Sequence, residues 1–74
     1  MDATAMLEWL LERNVSALLR VDAGRDGIRP WTFHASSEPQ HDDSWSVRTD
    51  ADSAEECLHR ARKALKQHGL DLPE

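Results

Sequence analysis

Cysteine is nearly absent: Cys57 stands alone, so the chain has no internal disulfide and no paired thiolate spacing for a structural zinc site. A reducing, cytoplasmic setting is expected. Long apolar runs are missing too, and the opening apolar segment carries Glu8 and Glu12, which suits neither a signal peptide nor a membrane span. Glycine is scarce, and Gly24 and Gly27 flank a turn rather than build a loop that cradles phosphate. Basic charge is in deficit, with nine Lys and Arg against fourteen Asp and Glu and a formal net charge of −5. That balance opposes non-specific attraction to nucleic acid and to anionic lipid alike.

Residue combinations that carry catalysis are equally thin. Serines lie near His34 and His41, but no nucleophile elbow accompanies them. His34, His41, Asp42 and Asp43 are the one grouping that suits a divalent metal, and their spacing matches no recognised ligand pattern. Cys57 falls on the apolar face of a helix and reads as a small core residue. The expectation is no enzyme, no cofactor and no metal.

What is present is folding information. No repeat, low-complexity tract or linker divides residues 1–74, so they should form a single small domain. A core of this size supplies only about 3–5 kcal/mol, and a homodimer or another partner commonly adds to it. Residues 49–73 read as one helix with both ends marked. Ser53 and Glu56 have capping-box spacing, while Gly69-Leu70 and then Pro73 supply the stop. Ala54, Cys57, Leu58, Ala61, Ala64 and Leu65 form its apolar stripe. Asp50, Asp52, Glu55 and Glu56 fall at the positive end of the helix dipole, and Arg60, Arg62, Lys63 and Lys66 toward the negative end.

A first helix over residues 3–13 places Ala3, Met6, Leu7, Leu10 and Leu11 on one side, with Trp9 at the flank and Asp2 or Thr4 as cap. Asn14 ends that pattern. Residues 15–22 then alternate as a strand with Val15, Ala17, Leu19 and Val21 inward, and residues 24–27 make a turn. The second strand covers residues 31–36, with Trp31, Phe33 and Ala35 inward, and Ile28 is out of phase, which suggests a bulge near Arg29. Residues 37–43 are a polar loop, and residues 44–49 a third strand with Trp45 and Val47 inward. The fold class is α+β: a helix, a three-stranded antiparallel meander and a helix (α-β-β-β-α), with both helices on one sheet face. The other face is open to water and carries Ser16, Leu18, Arg20, Thr32, His34, Ser46 and Arg48.

This order resembles the double-stranded RNA-binding domain in topology over most of the chain. The resemblance implies phosphate contacts from a lysine cluster at the start of the second helix. Here that position holds Asp50, Asp52, Glu55 and Glu56. Residues 31–58, with two tryptophans, an intervening proline and the helix start Ala-Asp-Ser-Ala-Glu-Glu-Cys-Leu, are similar to the MbtH-like partners of peptide synthetases. They lack that family's Trp-Pro and Pro-x-Gly-Trp pairings. Residues 49–61 are similar to the strand-to-helix junction of HicB-type antitoxins in a pattern that is mostly generic helix capping.

The functional expectation is a small cytoplasmic, non-enzymatic module, a bacterial or phage regulator or inhibitor that acts by contact with another protein. Two surfaces are candidates: the open sheet face, with Leu18, Arg20, Thr32, His34 and Arg48, and an acidic edge of Glu38, Asp42, Asp43, Asp50, Asp52 and Glu55. The alternative is nucleic-acid binding through the basic residues of the open face. Homodimerisation is compatible with either reading.

Overall fold

The computed structural model describes residues 2–24, 29–37 and 45–73. Helix α1 (Ala3–Leu11) leads into strands β1 (Ser16–Val21), β2 (Trp31–Ser36) and β3 (Ser46–Ala51), and helix α2 (Ala54–Lys66) follows. The turn over residues 24–27, the bulge expected beside Ile28 and the acidic residues Glu38, Asp42 and Asp43 fall wholly or partly outside the described residues. Arg29, next to that expected bulge, has a left-handed backbone with φ 46°.

Both helices end by the same device. The carboxylate of Asp2 caps α1 by accepting the Ala5 amide at 2.8 Å. At its far end Asn14 adopts φ 61°, the Val15 amide donates to the Leu10 carbonyl, and the Asn14 amide donates to the Leu11 carbonyl. This is a Schellman stop, and asparagine tolerates the left-handed geometry it needs. Helix α2 repeats it with Gly69 at φ 85°, the Leu70 amide on the Leu65 carbonyl and the Gly69 amide on the Lys66 carbonyl. Asn14→Val should therefore lower stability by about 1–2 kcal/mol, the cost of a branched side chain in the left-handed region, while Asn14→Gly stays near the parent. Urea midpoints of the two variants check this.

The sheet has the order β1-β2-β3, antiparallel throughout. Its register stacks the side chains in rows. On the core face Ala17, Ala35 and Val47 align, as do Leu19, Phe33 and Thr49, then Val21, Trp31 and Ala51. Phe33, Ala35, Val47 and Ala51 are buried with Met6 and Leu10 of α1 and Cys57, Ala61 and Leu65 of α2. Both helices thus cover one face. Thr49, a polar residue on that face, donates its hydroxyl to the Cys57 carbonyl at 3.2 Å, and the Cys57 thiol donates to the Thr49 carbonyl. Cys57 is fully buried.

Several boundaries and burials differ from the sequence reading. Residues 49–51 extend β3 and do not open α2, because Thr49 and Ala51 continue the inward alternation and Ala51 is buried. Asp50 and Asp52 are consequently not first-turn acids; only Glu55 and Glu56 are. Ser53 caps α2 by accepting the Glu56 amide, but the Glu56 carboxylate turns outward to Arg60 at 2.6 Å, so only half of the capping box forms. Leu11 belongs to the apolar series by spacing yet is 72 % exposed, since α1 ends there and the chain turns away. Past Gly69, Leu72 is buried, and Arg62 donates to the Leu72 and Pro73 carbonyls, which holds the tail against the core.

Candidate functional site

The uncovered sheet face is built from the even-numbered strand residues, and the register orders it into three rows. Ser16, Ser36 and Ser46 form a polar row. Leu18, His34 and Arg48 form the middle row. Arg20, Thr32 and Asp50 form the third. Strand pleating makes such neighbours face the same side at roughly 5 Å spacing. The meander therefore gathers residues far apart in the chain into one patch about three strands wide.

The middle row carries the apolar anchor. Leu18 is 49 % exposed beside half-buried His34 and exposed Arg48. In the third row Thr32 is only 8 % exposed and donates its hydroxyl to Asp50 Oδ1 at 2.7 Å. Among the residues predicted for the open face, Thr32 thus lies beneath its neighbours and is largely covered, with its hydroxyl holding the Asp50 carboxylate. Its flanks, Arg20 and Asp50, screen it from water on the central strand.

Charges on this face are paired within it. Arg20 meets Asp22 at 3.4 Å, and Arg48 meets Asp50 at 3.5 Å. Of the acidic edge, Asp50, Asp52 and Glu55 are among the described residues, and these three lie apart. Asp50 lies on the sheet face, Asp52 accepts the Arg29 amide at 3.2 Å, and Glu55 is exposed in the first turn of α2. Strand continuation through Ala51 separates Asp50 on the sheet from Glu55 on α2.

Other features bear on chemistry less directly. Trp45 stacks on His68 with ring centroids 4.8 Å apart, and the Arg13 guanidinium lies 3.5 Å from the centre of the Trp9 ring. These contacts tie both helix ends to the start of β3 and the margin of the core, and neither residue pair was singled out by sequence spacing. Among the described residues no group of three His, Cys, Asp or Glu comes together to hold a metal. No helix among them is long and apolar enough to cross a membrane.

No protein family, curated protein or solved structure matches the chain.

Proposed function

We propose that this domain is a non-enzymatic protein-binding module that works through the uncovered face of its sheet. The observation that carries the reading is the row of Leu18, His34 and Arg48, an exposed leucine flanked on adjacent strands by a half-buried imidazole and an exposed guanidinium. An apolar anchor ringed by polar and cationic groups is the composition that protein contact sites favour, with arginine enriched among the residues that dominate binding. Arg48 and Asp50 offer a partner donors and acceptors at the rim, and Thr32 fixes the Asp50 carboxylate in place. A cytoplasmic setting fits the single buried cysteine.

Partner isolation on immobilised protein, followed by titration of that partner into isotopically labelled domain, tests the reading. Amide shifts should concentrate at residues 16–20, 32–36 and 46–50. Shifts confined to the α2 surface would contradict it.

The nucleic-acid alternative is disfavoured by the same face. Arg20 and Arg48 each have a carboxylate within 3.5 Å, and the start of α2 presents Glu55 and Glu56. Few counterions would be released on duplex contact, and affinity depends on that release. No binding of labelled duplex RNA or DNA is expected at physiological salt. Micromolar binding that weakens steeply as salt rises would reverse the ranking.

A further inference from the structure

The two edges of the sheet are not alike. In β3 the ladder bond from the Ser37 amide to the Trp45 carbonyl fixes the odd residues toward β2, so the backbone of Ser46, Arg48 and Asp50 faces outward. That edge is guarded: Arg60 donates to the Asp50 carbonyl at 3.3 Å, and Arg48 and Asp50 bring charge to it. In β1 the Asp22 amide donates to the Pro30 carbonyl, so the even residues face β2 and the backbone of Ala17, Leu19 and Val21 points outward. Beside β1 lie all three of the exposed large apolar residues among those described, Leu11, Leu18 and Val21 at 72, 49 and 54 %. A hollow of about 480 Å³, walled by Leu7, Leu11, Val15 and Ala17 with Glu8 at its rim, runs between this strand and α1.

We propose that the β1 edge pairs with the β1 edge of a second copy about a two-fold axis at Leu18, which joins two three-stranded sheets into one continuous six-stranded sheet. The sequence of the strand is self-complementary in that register. Ala17 and Leu19 of the second copy exchange amide hydrogen bonds, a small residue against a large one. The Val21 amide of each copy donates to the Val15 carbonyl of the other, and each Val21 lies beside Val15 at the apolar hollow. On the other face Leu18 meets Leu18, and Arg20 meets Ser16.

Charge disfavours a competing register and is compatible with this occupant. Moving the axis to Arg20 would oppose two guanidinium groups, and like charges directly opposite destabilise a strand pair. Leu18 at the axis opposes no like charges across the strands. Arg20 of the strand is paired with Asp22 just beyond it, so β1 with that neighbour carries no net charge on a chain of net charge −5, and Glu8 at the rim of the hollow is the acid nearest this edge that lines the hollow. A second copy therefore meets less self-repulsion here than it would through the acidic surfaces.

Two measurements test it. Sedimentation over a concentration series should show a mass approaching twice the 8.4 kDa of the chain, and Val21→Lys with Leu11→Lys should return it to the monomer mass with a thermal midpoint close to that of the parent diluted to its monomer. Leu18→Cys should give a symmetric disulfide dimer under mild oxidation, because non-hydrogen-bonded neighbours approach within cross-linking range and the native Cys57 is buried. Arg20→Cys should cross-link far less. A monomer at every concentration would show that the edge does not accept a second copy and would overturn the proposal. So would a dimer that survives Val21→Lys with Leu11→Lys, or Arg20→Cys cross-linking as readily as Leu18→Cys.

Discussion

Leu65→Ala is expected to lower stability by about 2–5 kcal/mol, a large fraction of what a domain of this size holds, and to leave much of the protein unfolded. Leu65 is fully buried in the cluster that joins α2 to Phe33 and Ala35, and its carbonyl also receives the Leu70 amide of the helix stop. Truncation leaves a cavity in this fully buried part of the cluster. Leu58→Ala is the internal control. Leu58 is only partly buried and lines a surface hollow with His59 and Arg62, so its removal should cost distinctly less. Denaturant unfolding of both variants checks the pair, and an equal loss would mean that α2 turns a different face to the sheet.

The elements whose signals are local were legible in the sequence. Strand β2 has the bounds that alternation from Trp31 to Ser36 gives, and Asp2, Ser53, Asn14 and Gly69 act at the helix ends where their side chains suit caps and stops. The failures came where two local signals competed. Asp50 and Asp52 precede a cap serine and so resemble dipole-matching acids, but strand pairing of Ala51 with Trp31 carries β3 through Asp50 and leaves Asp52 in the junction before the cap. Leu11 and Thr32 show a different limit. Periodicity assigns a face, whereas exposure depends on what lies beyond the end of the helix or across the strand. Leu11 ends its helix and faces water, and Thr32 is covered because Arg20 and Asp50 flank it on a central strand. Burial of Leu72 depends on the path of the tail after Gly69, and the stacking of Trp45 on His68 on where the end of α2 meets the start of β3; no periodicity encodes either.

The candidate site shows the same division. Alternation alone placed Leu18, His34 and Arg48 on one face, but their alignment as a row requires the register of both hairpins. The acidic edge was a count along the chain; of its described members, Asp50 falls on the sheet and Glu55 on α2.

The second large effect is expected on partner binding. Leu18→Glu and Arg48→Glu should each weaken binding by roughly thirty-fold or more, the consequence of removing a contact worth about 2 kcal/mol. Neither change should move the thermal midpoint much. Leu18 is half exposed, and the Arg48 to Asp50 pair lies at the surface, where such pairs contribute about 0–1 kcal/mol. Arg48 stands on the strand farthest from β1, so its reversal separates partner contact from any pairing of copies.

The most direct test of a working sheet face is the affinity of the captured partner for four proteins: the parent, Leu18→Glu, Arg48→Glu, and a variant with Asp42, Asp43 and Glu55 reversed in charge. The sheet-face account predicts loss of binding in the two single variants and near-parental binding in the triple variant. Retained binding by both single variants, with loss in the triple variant, would contradict it and assign the function to the acidic surface.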